Sequence, residues 1–498
     1  MKKTFTKIMC FFLTLVMVFS VSSVAFAREN KIPVILIHGL GGNELYKNVG
    51  TENEELMEGY GLDVKSLLTN SEIMSEAVKL LSKESSVNYE ELFSALGDYF
   101  RASELNCDEN GNTPEGQGIN NYWTTPLSKH KDYWQGATNA ERGIARQLCN
   151  IYGSKNVYVF NYDWRNDVCA TAKILRKQIV AIKKRTGAKK VALMGCSLGG
   201  AVMSAYLDAY KNKNDVARYV FVNPAIQGVA VARLLRLDIG FNKKEVLTYL
   251  KHMETAYDGG NSATLFKAIS AIGDYRIGIA VDNLNEIVKS KRLLKKFFNM
   301  VIKDWIGNIP AYWECIAYND FDACVKKMSG IGFLDKSSGL YTKIKKYHKV
   351  QGRFYKNIKY AKRHGAEVAI LANYGTRGIP VTSRSKNHTD VLIDTVYASG
   401  GATVAKYGKK LKGKKAKGKY VSPDKVINAK TCVLPNNTWF TKNLLHIQYH
   451  YGTEATKLIC NMACGKVKLN LKAVKKKYGY TQFMKAGSNQ EITNITKN

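Results

Sequence analysis

Gly195-Cys196-Ser197-Leu198-Gly199 follows an apolar run, Val191-Ala192-Leu193-Met194, and precedes a helical pattern. A turn this tight between strand and helix forces its serine into strained backbone angles, so the flanking positions must be small. The Ser197 hydroxyl would project as a nucleophile, and the Leu198 N–H at the helix start would face the oxyanion of a tetrahedral intermediate. A second oxyanion donor must come from a loop after an earlier strand. His38-Gly39-Leu40-Gly41-Gly42 is such a loop, with the Leu40 N–H as donor. His38 comes too early in the chain to be the base and reads as the polar end of a buried strand. Base and acid are expected later, in the order Ser…Asp…His. His446 stands directly after a candidate last strand, with His450 as the fallback. Asp390 and Asp394 both lie in the loop after the preceding strand, and Asp390 is favoured. Asp424, beyond a lysine-rich loop, reads as exposed. This chemistry calls for no metal and no organic cofactor.

These side chains need a scaffold. Strands are expected at Lys31–Ile37, Asn156–Asn161, Lys190–Met194 and Ala217–Val222, with Glu367–Ala372 and Thr438–Asn443 returning later. Helices fall between the early ones at Thr138–Tyr152, Cys169–Arg185 and Gly199–Tyr210. Continuous Val/Ile/Leu runs alternating with helices imply an α/β class: a mostly parallel central sheet flanked by helices. Residues 1–27 read as a signal peptide, with Lys2, Lys3 and Lys7 before an apolar run and Ala25-Phe26-Ala27 at the cleavage site. The first part of the core then spans 28–226, interrupted by a polar excursion at 48–138 with helical patches. Residues 227–350 read as a helical cap, and 351–498 as the second part of the core, carrying a solvated lysine loop at 406–419. A last helix is expected over about Thr453–Lys477.

Tyr162-Asp163-Trp164-Arg165, at a strand end one β/α unit before the elbow, resembles a signature of the lecithin:cholesterol acyltransferase and lysosomal phospholipase group within the α/β-hydrolase superfamily. Gly39-Leu40-Gly41-Gly42-Asn43-Glu44-Leu45 is similar to that group's oxyanion loop. The resemblance matches Ser197, Asp390 and His446 to the group's triad and Leu40 to its first oxyanion position. It implies an α/β-hydrolase fold with a helical cap, and an ester hydrolase or O-acyltransferase acting on acyl lipids. The group places glycine after the acid, whereas Val391 stands here, which keeps Asp394 in play. Trp164 and Trp313 are candidates for lining an acyl pocket.

The 498 residues carry a net charge of +34, from 75 basic and 41 acidic side chains. With 45% hydrophobic residues the chain is not wholly disordered. The charge predicts peripheral contact with an anionic membrane or cell-wall polymer, and the signal peptide predicts export to the extracellular space or cell surface. Nucleic acid is disfavoured by export and by the lack of a binding motif. Leu284, Ile287, Leu294, Phe298, Val301 and Trp305 recur at helical spacing among lysines, as a helix lying on an interface or packed on the core would have them. Nine cysteines follow the signal segment, an odd number without zinc-ribbon spacing, and Cys460 and Cys464 read as packed core thiols. Asp108, Asn110 and Asn112 read as a surface turn. Two rival readings remain: an esterase for non-lipid acylated wall polymers or soluble esters, and a non-catalytic binding protein on a hydrolase-like core.

Overall fold

The computed structural model describes residues 31–498, except 59–62, 84–85, 136–141, 257–259, 383–384, 447, 452, 466, 489–490 and 497–498. The signal segment expected at 1–27 lies outside the described residues. The main sheet has eight strands: β1 (Val34–Ile37), β2 (Val157–Phe160), β3 (Val191–Cys196), β4 (Val216–Val222), β5 (Glu367–Tyr374), β6 (Thr438–Lys442), β7 (Phe483–Ala486) and β8 (Ile492–Asn494). Their spatial order is β8-β7-β6-β5-β4-β3-β1-β2. Every pairing is parallel except β7 with β8.

Alternation explains why the inner strands are apolar throughout. In β1, Ile35 and Ile37 enter one hydrophobic cluster while Val34 and Leu36 enter another on the opposite face. In β3, Val191 and Leu193 divide in the same way from Ala192 and Met194. Each such fully buried aliphatic side chain contributes about 1.5–3 kcal/mol, which ties the strand to both helical layers. The first layer contains α3 (Val168–Thr186), α4 (Leu198–Tyr210) and α7 (Gly339–Arg363); the second contains α2 (Gly143–Tyr152) and α8 (Glu454–Ala463).

Three boundaries differ from the sequence reading. α7 packs against α4 and β5, so the core resumes at Gly339 rather than 351. The expected last helix is broken into Glu454–Ala463 and Leu471–Tyr478, and β7 and β8 follow it. The basic amphipathic stretch is also divided: α5 (Asp274–Lys289) ends at Ser290, which caps α6 (Lys291–Phe297), and Phe298–Gly307 continues as a π-helix. Its apolar face is covered. Ile287, Leu294, Phe298 and Val301 share a core with Phe93 and Phe100 of α1 (Tyr89–Ala102), and Trp305 stacks on Phe100 at 4.4 Å between ring centroids. Lys296 and Arg292 both pair with Glu90. Excursion and cap therefore form one hydrophobic unit, and this helix has no bare apolar face for an interface.

All eight lysines between 406 and 419 are exposed, as expected of a solvated loop, and Leu411 anchors it by inserting its side chain. All nine cysteines after residue 30 are free thiols. Asp108 accepts from the backbone N–H groups of Asn110 and Asn112, closing a surface turn. Among the described residues no group of His, Cys, Asp and Glu is placed to hold a metal ion. Nor is any helix among them long and apolar enough to cross a membrane.

Candidate active site

β3 ends at Cys196 and α4 begins at Leu198, leaving Ser197 alone in the turn. Its φ is 52° and its ψ −121°, a conformation that L-residues seldom adopt and that costs on the order of 1–3 kcal/mol. From Val191 to Leu207 every residue except Ser197 is buried. The hydroxyl is not spent on capping α4. Leu198 N–H belongs to the first turn of that helix, where the helix supplies no acceptor of its own.

The elbow fits against the end of β1 through missing side chains. A Cβ on Gly199 would collide with the carbonyl oxygens of Ile37 and His38. One on Gly39 would lie 2.8 Å from Ser197 Cβ and 3.3 Å from its Oγ. The loop carrying Leu40 thus lies directly beside the serine, and Gly42 N–H closes it by donating to Gly39 O at 3.2 Å. The Tyr162 hydroxyl donates to His38 O at 2.8 Å and Asn43 donates to Tyr162 O at 3.0 Å, so β2 braces the same loop. His38 is buried with Nε2 2.6 Å from the Tyr133 hydroxyl, as suits the polar end of a strand.

Asp390 and His446 meet. Asp390 Oδ2 lies 2.7 Å from His446 Nδ1; a carboxylate only accepts, so Nδ1 carries the proton and Nε2 is left as the basic nitrogen. The other carboxylate oxygen accepts from the N–H groups of Leu392 and Ile393 at 3.1 and 2.7 Å. The backbone adds a second tie, His446 N–H to Asp390 O at 2.9 Å. Asp390 is buried, while the His446 side chain keeps 13% of its surface exposed. Val391 sits between the acid and its amides at φ 92°, where a glycine would be unstrained.

Asp394 is placed elsewhere. Its oxygens accept from Asn387 Nδ2 and from the backbone N–H of Ala230, both at 2.7 Å, so it fastens the acid loop to the start of the cap. Burial raises its pKa to about 6 despite those bonds. Asp424 is half-buried rather than exposed, and bonds Ser422, Lys442 and Tyr374. His450 belongs to the short helix Gln448–Tyr451, and its side chain lies outside the described residues. Trp164 lines a cavity that Gly41 and Gly42 also wall. Trp313 does not: its indole N–H donates to Gly307 O and its ring lies against Phe333 inside the cap core. The sequence reading missed the bracing Tyr133, as well as Tyr449, whose hydroxyl donates to Asn373 Oδ1 at 3.0 Å behind the acid loop. No spacing signal marks either residue.

Arg165 is fully buried and wraps Asp163, with Nη2 2.8 Å from Oδ2. Its Nη1 donates to Leu105 O and to Gln117 Oε1. The Tyr-Asp-Trp-Arg run therefore holds the Gly39–Gly42 loop on one side and the excursion on the other.

A model of the alpha/beta hydrolase fold family matches residues 118–250. That stretch includes Trp164, Ser197 and Leu198, but not Leu40, Asp390 or His446. No curated protein matches the sequence. Among solved structures, wild-type Cfl2 from Burkholderia cenocepacia is similar over 48% of this chain and 69% of that one, at 12% identity and a TM-score of 0.18. A likeness that weak carries no argument.

Proposed function

With the α/β-hydrolase fold as premise, we propose that the chain is an exported serine hydrolase of acyl esters. His446, oriented by Asp390, takes the proton of Ser197, and the alkoxide attacks the ester carbonyl. The N–H groups of Leu40 and Leu198 hold the oxyanion. On collapse the alcohol leaves with the proton from His446, and the acyl group stays on Ser197. Water, or an alcohol acceptor in the case of O-acyl transfer, then takes the acyl group by the reverse sequence.

The observation that carries this reading is the partial exposure of Ser197 at a positive φ within a buried run, at the same C-terminal edge of the parallel sheet from which the hydrogen-bonded Asp390–His446 pair comes. A fluorophosphonate probe should form an adduct on Ser197, located by mass spectrometry. Persistent labelling of Ser197→Ala would sink the assignment.

A lipid acyl group is the substrate that the Tyr-Asp-Trp-Arg resemblance implies. It predicts a rate jump when a phospholipid or acylglycerol substrate passes its micellar threshold. The rival, an acylated wall polymer or soluble ester, predicts no jump. The lysine-rich loop supports residence at an anionic membrane or wall surface, with pelleting on anionic vesicles that falls as salt screens it.

A further inference from the structure

Beside the oxyanion loop lies a cavity of about 220 Å³, walled in part by Gly41 and Gly42. This is below the ~300–1,000 Å³ of a site for a drug-sized ligand, and suits a single ring or a short polyol. Trp164 and Tyr133 give it aromatic surface. Asn161 also lines it, just past the C-terminal end of β2, the edge of a parallel sheet at which ligands bind.

Asn161 is only 5% exposed. Its amide nitrogen donates to Asn121, at 2.6 Å to the side-chain oxygen and 3.3 Å to the backbone carbonyl. Among the described residues its Oδ1 has no hydrogen-bond partner. Turning the amide over would press that oxygen against the Asn121 carbonyl, so the acceptor is the atom left unmatched. A buried acceptor without a donor weakens a fold, and a donor arriving with a ligand removes that penalty. The charged groups on the wall, Glu44 and Glu58 against Arg142, leave the cavity acidic and unsuited to a phosphate.

We infer that this cavity binds the alcohol portion of the ester as a neutral polyol, a sugar ring or a glycerol unit, with one hydroxyl donating to Asn161 Oδ1. The inference rests on the serine-hydrolase reading and names its substrate class on the alcohol side. Flat C–H faces meet Trp164 and Tyr133, and the glycine loop that walls the cavity at Gly41 and Gly42 runs against Ser197 at Gly39, the side on which the ester carbonyl meets the hydroxyl.

The test compares a methyl hexoside 6-acetate, glycerol monoacetate and ethyl acetate as substrates. Wild type should favour one hydroxyl-bearing ester over ethyl acetate about tenfold in kcat/KM, and Asn161→Leu should erase that preference by raising KM. The preferred ester identifies the polyol as sugar or glycerol. Equal kcat/KM for all three, or a preference that survives in Asn161→Leu, overturns the inference. Calorimetric titration of wild type with methyl glucoside and with glycerol decides the cavity independently of catalysis. Saturable binding of either supports it and the absence of both overturns it, even where fluorophosphonate labelling has already failed and removed the esterase reading.

Discussion

Ser197 and Val391 are both held at positive φ, 52° and 92°, but the two strained turns are built from different materials. At Ser197 the turn is one residue long and is clamped by backbone contacts that only glycine permits, between α4 and the end of β1. At Val391 the strain falls in the long loop after β5, and side-chain bonds hold it. Asp390 gathers two backbone N–H groups, and Val391 N–H donates to Thr389 Oγ1 at 2.9 Å. The proposed nucleophile is thus fixed by local sterics, whereas the proposed acid and base are fixed by contacts between distant segments. The first kind of turn tolerates almost no substitution. The second should respond in a graded way.

The largest effect expected from that contrast is at Asp390. Asn at this position keeps the acceptor for Leu392 and Ile393 but turns a donor towards His446 Nδ1, enforcing the wrong tautomer. A kcat loss of about 10⁴-fold with little loss of folding is expected. Asp394→Asn should cost far less activity, since Asp394 bonds the cap and not the histidine. Steady-state kinetics on one soluble ester separates the two, and equal losses would break the division of roles.

Next comes the acid lability of the same loop. His388 is buried with neither ring nitrogen hydrogen-bonded among the described residues, and burial lowers its pKa to about 4. The unfolded chain takes up this proton near 6.5 and the folded one only near 4. Its contribution to stability is complete above pH 6.5 and is lost as pH falls towards 4, by on the order of 3 kcal/mol. Asp394 has the opposite sign: its raised pKa stabilises the protonated form, so its contribution is present below about pH 4 and is lost as pH rises through 6. Denaturant melts of His388→Phe between pH 4 and 7 should therefore show a flatter acid limb than wild type. An unchanged limb would move the cause elsewhere.

The smallest effect is expected at Val391. Glycine there relieves the backbone strain but removes a buried side chain and adds freedom to the unfolded chain. The terms oppose each other, and the net change in stability should stay within about 1 kcal/mol, with fluorophosphonate labelling retained. A loss of labelling would mean that the valine side chain itself shapes the acid turn.

The same contrast explains what could be read from the amino-acid sequence. Ser197, Leu198, Leu40 and the inner strands stand out because their geometry is imposed by residues within a few positions, glycines above all. Choosing Asp390 over Asp394 requires knowing which carboxylate the loop carries to His446, and both are followed by an apolar residue or threonine that gives no local cue. β7 and β8 escaped because both are short, β8 stands at the sheet edge, and the exposed Lys485 interrupts the apolar pattern of β7. Trp313 and the basic helix of the cap show the opposite limit. Their patterns were visible, but whether an apolar face meets a ligand, a membrane or another helix is decided by what packs there: the excursion for the helix, and Phe333 of the cap itself for Trp313.

Arg165 gives that packing a mechanical consequence. Because it grips Leu105 and Gln117 from inside a buried ion pair, the excursion is riveted to the sheet one residue run away from the oxyanion loop. The cap shares its core with the excursion and inherits the rivet. Swinging the cap and excursion away as one piece would leave the Arg165–Asp163 pair on the sheet but break the bonds from Arg165 Nη1 to Leu105 O and Gln117 Oε1, each worth about 1.5–3 kcal/mol because the donor is charged. The cap behaves as a fixed wall rather than a hinged lid.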